Sequence, residues 1–435
     1  MRGNDFLDKI GDIDPKFIVD AERLILRRRK RSFGRLAAAA ALIVLVFSSA
    51  FFADDIKRII GIESGNKGNI YAESVPISIS DIHYESGGMG FEGYILKDIS
   101  QLENGDPWTE DMVISKLPVY LNKAFDKESS GEAPKVIYSE KEMKKILKKA
   151  ASCLDLKISS MEKIYTKVNV KKTVKRRVNG VPVETETTYD TVLISMTAET
   201  SGGKLRVTAY GGSLTFTPNK GSIEIPLDVY SDPNEKTWSN ETLLYLSGQY
   251  EKLLKSFGIS DVKTFINEQY DIYGNCWQHY GAVYEAPSGS DEEKVKSFYL
   301  ENPMIIFSKN SEGGIAHISF SGSTLISKDA KTREFMGEYP IISLDEAKER
   351  LSLGYYSSSY PGAYKGEEYI AKAELMYRTS VKDEYIMPYY RFYICIDEDL
   401  GSDIAAGTHS YAAYYVPAIA DEYIIDMPVY DGKFN

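Results

Sequence analysis

Residues 161–199, MEKIYTKVNVKKTVKRRVNGVPVETETTYDTVLISMTAE, alternate apolar and polar side chains on both sides of Asn179-Gly180. A period of two is the signature of a strand with one buried face, and Asn-Gly between two such runs is a strong hairpin signal. The stretch therefore predicts two long antiparallel strands. Upstream, SEKEMKKILKKAASCL offers Ser139 as a cap and puts Met143, Ile146, Leu147 and Ala150 on one side of a helix. Downstream, KLRVTAY and SLTFTP form a second strand pair turning at Gly211-Gly212. Together these elements predict an α+β module over residues 119–230.

The layout of one helix followed by strands recurs twice. Over 231–335 the helix is SNETLLYLSGQYEKLLKSFG, capped by Ser239 or Asn240 and stopped at Gly258. The strands TFINEQYDIYG, CWQHYGAVYEA, NPMIIFSKN and GIAHISFSGSTLI follow it. Over 336–435 the helix is ISLDEAKERLSLG, where Ser343 and Glu346 make a capping box and Gly354 ends the run. Its strands are YIAKAELMYRT, YIMPYYRFYICID and SYAAYYVPAIA. Strands that follow one another without intervening helices pair antiparallel, so the class expected is α+β. The three copies share a layout and no visible residue identity.

The N-terminal side has a different character. Residues 54–118 contain the loop-like ESGNKGN and ESGGMGFEG around the strand-like YAESVPISISDIHY, and read as a stalk leading into the first module. Before them, the uncharged run Leu36–Ala53 follows Arg27, Arg28, Arg29, Lys30 and Arg31. Eighteen helical residues at about 1.5 Å each cover most of a ~30 Å hydrocarbon core. A single transmembrane helix over 36–53 is expected, with the five basic residues holding the N-terminus inside and the body outside the cell membrane. A cleaved signal peptide is the rival reading, since Ser48-Ser49-Ala50 suits cleavage, but the leader up to Arg35 is long for one.

Residues 1–35 read as a cytoplasmic tail of two short helices. Leu7 and Ile10 face one way in the first. Asp14-Pro15 starts the second, and Phe17, Ile18, Ala21 and Leu24 form its apolar stripe. So small a tail has no core in which to bury that stripe, so these six residues are candidates for binding a partner protein or lying on the inner leaflet.

Composition bounds the remainder. At 435 residues with 43% hydrophobic and 26% charged content, two or three folded domains fit. The tail holds ten Lys/Arg against six Asp/Glu, and residues 54–435 hold 42 against 57, a net of −15. An exterior that acidic should repel nucleic acid, anionic lipid and anionic wall polymers. Cys153, Cys276 and Cys395 are odd in number and far apart, which fits neither a zinc site nor a redox pair. All three are expected to be small buried hydrophobes.

The tail NDFLDKIGDIDPKFIVDAE with its basic cluster and apolar run resembles clostridial single-pass membrane proteins associated with extracytoplasmic-function sigma factors. That resemblance implies an anti-sigma-like tail. No His or Cys precedes residue 36, so the zinc-containing anti-sigma pattern is absent. Separately, YPIISLDEAKERLSLG and the strands after it are similar to the opening of PepSY-like and YycI-like extracytoplasmic modules, which implies regulatory or inhibitory binding.

Motifs of catalysis are thin. Gly88-Met89-Gly90-Phe91-Glu92-Gly93 spells GxGxxG, but strand-like GYILKDI follows where a dinucleotide site needs a helix. Ser160-Met161-Glu162-Lys163 matches S-x-x-K without its companion elements. His83, His279, His317 and His409 lack metal-ligand spacing. Asp397-Glu398-Asp399 with Asp403 reads as a solvated hairpin loop, lacking calcium-loop spacing. Trp108, Trp238, Trp277 and the 355–364 loop could stack on sugar rings, though core filling is the commoner use. No enzyme activity, cofactor or metal is expected. The function expected is a single-pass membrane regulator or sensor: an outer binding domain with an unnamed ligand, and a tail that meets a sigma factor or another cytoplasmic regulator. The alternative is an anchored or secreted binding or inhibitory module, PepSY-like or wall-binding, that acts wholly outside.

Overall fold

The computed structural model describes residues 75–79, 92–125, 137–178, 181–210, 212–221, 223–301, 304–321, 332–379, 383–401 and 404–430. They lie within one of the chain's two units, residues 71–435. Strands β1 (Ile77–Ser78), β2 (Gly93–Leu96) and β3 (Lys116–Asn122) precede helix α1 (Glu140–Cys153). Strands β4 (Ile158–Val178), β5 (Val181–Thr200), β6 (Gly203–Thr208) and β7 (Ser213–Pro218) follow it. Helices α2 (Asn240–Gln249) and α3 (Glu251–Phe257) lead to β8 (Val262–Tyr270) and β9 (Cys276–Glu285). Helix α4 (Asp291–Lys296) leads to β10 (Met304–Lys309), β11 (Ile315–Ser321) and β12 (Arg333–Pro340). Helix α5 (Leu344–Ser352) then precedes β13 (Ile370–Tyr377), β14 (Tyr385–Ile386) and β15 (Pro388–Cys395). Short helix α6 (Asp397–Leu400), β16 (His409–Pro417) and β17 (Ile424–Asp426) complete the described elements.

Local chemistry starts the helices. Ser139, Ser239, Ser290 and Ser343 each cap a helix by accepting a backbone N–H three residues on. In α1, α4 and α5 a glutamate at that third position returns a bond to the serine amide, from Glu142, Glu293 and Glu346. The single helix expected over 239–257 is two: Tyr250, at φ −115° and ψ 20°, ends α2 and begins α3. Gly248 weakens the helix just before this point, and the Tyr250 ring packs 5.8 Å from that of Phe307.

The large sheet has eight antiparallel strands in the order β4-β5-β6-β7-β11-β10-β9-β8. It is two four-stranded meanders joined at their last members, β7 and β11. Helices α1, α2 and α3 cover one face. Met143, Ile146, Leu147, Leu243, Leu246, Leu253 and Leu254 pack there against Val207, Leu214, Val283, Ile305, Phe307 and Ile318. A second layer is assembled from both ends of the described chain. One sheet runs β13-β15-β16-β2 and another β12-β3-β14, with the parallel pair β1-β17 beside them. Helix α5 packs Ala347 and Leu351 into that core with Leu375, Phe392, Ala412 and Tyr414. Its buried Arg350 donates from Nη1 to the carbonyls of Pro417 and Ile419, at 2.6 and 2.9 Å.

These pairings correct the expected class of a transmembrane helix followed by α+β modules, each a sheet opened by its own helix. The described chain is mostly β, and its main sheet draws on strands from both 119–230 and 231–335. The reason is physical: β7 and β11 each present an open ladder edge, and joining them removes both from water. On the N-terminal side, β2 pairs with β16 and β3 with β12, so this part of the supposed stalk belongs to the second layer. No helix among the described residues is long and apolar enough to cross a membrane. The expected span over 36–53 lies outside the described residues.

Gly203 opens β6 at φ +151°, and a Cβ there would stand 2.2 Å from the carbonyl oxygen of Thr217. Gly203→Ala should therefore destabilise by more than about 2 kcal/mol, because the obstacle is backbone. Ser139→Ala, which removes only a cap, should cost about 1 kcal/mol. Urea unfolding of the two variants measures the contrast; a Gly203→Ala cost no greater than the cap's would contradict this packing.

Candidate functional site

The most concentrated chemistry lies where the two layers meet, on a strap from Leu102 to Trp108. Leu102 bridges to Asn267 on β8. Gly105, at φ +75°, brings the backbone against the rings of Phe265 and Tyr284, where a Cβ would be 3.0 Å from each. Two successive side-chain turns shape the strap: Asn104 Oδ1 accepts from the Asp106 amide at 3.0 Å, and Asp106 Oδ1 from the Trp108 amide at 3.1 Å. Held this way, Asn104 and Asp106 face the second layer.

Glu374 on β13 receives the strap. It is only 1% exposed and sits directly across the ladder from Arg391 on β15. Its Oε1 accepts from Asn104 Nδ2 and Lys372 Nζ, both at 2.8 Å. Its Oε2 accepts from Arg391 Nε at 3.0 Å, from Arg391 Nη2, and from the Tyr393 hydroxyl at 2.9 Å. Burial pushes the Glu374 carboxyl up, but Arg391 and Lys372 outweigh it and hold the group below its ordinary value. Asp106 is pushed up to about 7, by burial first and by the Glu374 charge second. Its Oδ2 and the Tyr299 hydroxyl are both buried and lie beside each other, with no other hydrogen-bond partner for either.

Two neighbouring carboxyls are thus driven apart, Glu374 ionised and Asp106 holding its proton near neutrality. Enzymes use such a pair for acid–base work. Here the Glu374 oxygens are occupied by protein donors, and both groups are enclosed between sheets. The chemistry available is uptake or release of one proton at Asp106, inside the contact that joins the layers.

A second cluster surrounds α6. Asp397 Oδ2 lies 2.7 Å from His409 Nδ1, and its Oδ1 accepts the Ser410 amide at 2.6 Å. Asp399 accepts from Tyr360 at 2.6 Å and Lys365 at 2.5 Å, and Glu398 from Tyr369 at 3.1 Å. The acidic run expected as a solvated loop is therefore a short helix whose carboxylates hold internal partners; Asp403 lies outside the described residues. Cys395, close by, has its thiol pushed up by burial and further by the Asp397 and Glu398 charges. A thiol kept protonated is a poor nucleophile, so Cys395, His409 and Asp397 do not make an activated triad.

Several sequence-predicted residues have structural roles. Trp238 Nε1 donates to the Gly313 carbonyl at 2.8 Å, and buried Trp108 packs edge-on to Tyr390, so neither presents a face to sugar. Tyr356 and Tyr360 of the 355–364 loop are buried. His317 Nε2 meets Ser308 Oγ at 3.0 Å across β10 and β11. Lys163 of the S-x-x-K match pairs with Glu140 at 2.7 Å. Cys153 and Cys395 are partly buried, while Cys276 is exposed at the start of β9, contrary to expectation. No group of metal-ligating side chains occurs among the described residues. Leu7, Ile10, Phe17, Ile18, Ala21, Leu24 and the basic Arg27, Arg28, Arg29, Lys30 and Arg31 lie outside the described residues, as do residues 88–91 of the GxGxxG match.

The Asp106–Glu374 cluster escaped the sequence reading because its members are so far apart in the chain. A signal existed: isolated charges inside otherwise apolar and aromatic strands, IAKAELMY and PYYRFYIC.

Folded Asp106 binds its proton up to about pH 7, whereas its ordinary value is 3.8. The stability it contributes is therefore complete below about pH 4 and is lost as pH rises through 7. Asp106→Asn keeps the Trp108 contact and removes the titration. Relative to this variant, the native protein should lose on the order of 3 kcal/mol between pH 4 and 8 in urea unfolding; parallel stability curves would refute the assignment. In comparison with known proteins, the chain matches no family model, no curated protein and no solved structure.

Proposed function

We propose that this chain is a regulatory binding protein held at the membrane through its N-terminal part. Its strand-rich body lies outside and binds a ligand or partner there. Its tail, residues 1–35, meets a cytoplasmic regulator, a sigma factor on the resemblance noted above. The observation that carries the reading is the enclosure of the body's reactive groups. Glu374 and Asp106 are shut between layers, and the exposed His409 is bonded to Asp397. Groups arranged in this way hold a shape and report on protons, which suits recognition better than turnover.

Two experiments test it. Cys276 is exposed, whereas the other two cysteines are partly covered. A membrane-impermeant maleimide should label intact cells that produce the protein, and Cys276→Ser should lose most of that signal. Labelling only after lysis would place the body inside and sink the topology. With residues 1–35 as bait, a cytoplasmic regulator should be captured, and Phe17→Asp or Leu24→Asp should abolish the capture. Equal capture by wild type and both variants, or by none, would leave the outside-only binding module as the reading.

A further inference from the structure

Charge is unevenly spread over this acidic protein. Residues 139–178 hold thirteen Lys/Arg against four Asp/Glu, a net of +9 in a chain of net −11. The stretch is α1 followed by β4, the edge strand of the large sheet. Helix α1 turns Met143, Ile146, Leu147 and Ala150 wholly into the core, which leaves Lys141, Lys145, Lys148 and Lys149 on its exposed side. Lys141, Lys145 and Lys148, at i, i+4 and i+7, form a ladder with steps of roughly 5–6 Å. Lys157, just before β4, and Lys163 and Lys167 on it are exposed as well.

Part of this charge is neutralised locally. Glu140 takes both Lys144, at 2.6 Å, and Lys163, at 2.7 Å, and so ties α1 to β4. Glu142 is engaged in the Ser139 cap, and Asp155 pairs with Lys252 at 2.5 Å. Among the described residues, Lys141, Lys145, Lys148, Lys157 and Lys167 meet no carboxylate. The basic run also continues outward. The β5–β6 ladder stops at Ser195 and Thr208, while β4 and β5 pair on to Val178 and Val181. Along that two-stranded ribbon, β4 carries Lys167, Lys171, Lys172, Lys175, Arg176 and Arg177, while β5 carries Glu184, Glu186 and Asp190, with Glu186 across the ladder from Lys172, so the ribbon as a whole is only mildly basic.

Lysines on an edge strand have a plain use, since they keep other strands from adding to it. That accounts for β4 and leaves α1 unexplained, because a helix has no ladder edge to guard. A bilayer is a poor fit for the helix: a surface-lying helix needs an apolar side to insert, and α1 has committed its own to the sheet. What remains is a ladder of mutually repelling cations that gains most from a partner with repeated negative charge.

We propose that α1 and the first half of β4 form a docking face for a linear, phosphate-rich polyanion, aligned on Lys141, Lys145 and Lys148 and reaching the exposed Lys157 and Lys167. The acidity of the rest of the surface then confines such a polymer to this face. The inference does not rest on the regulatory reading and holds on whichever side of the membrane the body lies.

The test is binding of inorganic polyphosphate to the full-length protein, with phosphatidylglycerol vesicles as a parallel arm. Affinity for polyphosphate should fall at least tenfold between about 50 mM and about 200 mM salt. A triple variant, Lys141→Gln, Lys145→Gln and Lys148→Gln, should bind at least tenfold more weakly at the lower salt and show a salt slope smaller by about 2–3. The pair Lys294→Gln and Lys348→Gln, on α4 and α5, should bind as the native protein does. All three lysines of the triple variant are exposed, so unchanged thermal melting should accompany its loss of binding. Absence of polyphosphate binding at the lower salt, equal losses in both variants, or capture by vesicles alone would each overturn the proposal.

Discussion

Glu374 is the point on which the assembly of the two layers depends. One carboxylate collects donors from the strap, from its own strand and from the neighbouring strand, and so joins stretches of chain that local structure would never bring together. An ion pair so deeply buried need not stabilise the fold more than well-packed apolar residues would. Its value lies in selectivity. With Asn104, Lys372, Arg391 and Tyr393 all aimed at two oxygens, any other seating of the strap leaves charges buried and unpaired. Such alternatives cost several kcal/mol each, so the strap has one acceptable register.

The same cluster shows how the molecule divides its charges. Inside, every strong charge near Glu374 is matched, and the one carboxyl without a ready cation, Asp106, keeps its proton instead. On the surface the division is coarser, with a lysine-bearing helix and edge strand set against an acidic remainder. A dipolar surface of this kind orients an approaching polyion before contact and speeds its capture at low ionic strength. Neither feature bears on the other directly, since the buried cluster lies under β8 and β9 and the lysines lie at the opposite edge of the sheet.

What the sequence disclosed was local. The Ser139 cap, the Ser343–Glu346 capping box and the long hairpin, which pairs Val178 with Val181, are all readable because each signal spans a few residues. Helix α4 carries the same signal in Ser290 and Glu293, though it is short and lies between strands. The joins that set the class were not readable: β7 with β11, β2 with β16 and β3 with β12 depend on which ladder edges meet after the local elements form. The buried site shares that limit, since Asp106 and Glu374 become neighbours only through those joins. The lysine face was hidden in another way, because a net charge summed over the whole exterior averages out a local excess of the opposite sign.

The partnership of β2 with β16 has a consequence for how the chain is made. Until His409–Pro417 has been synthesised, β2 has no ladder to join, and β3 likewise waits for β12. At usual rates of synthesis this delay is on the order of half a minute. The large sheet, whose strands are contiguous in the chain, can close during that time, so the second layer is a late event that folds onto a finished template. The newborn chain therefore carries apolar strands with open edges through most of its synthesis, a state in which they must be kept from pairing with other chains.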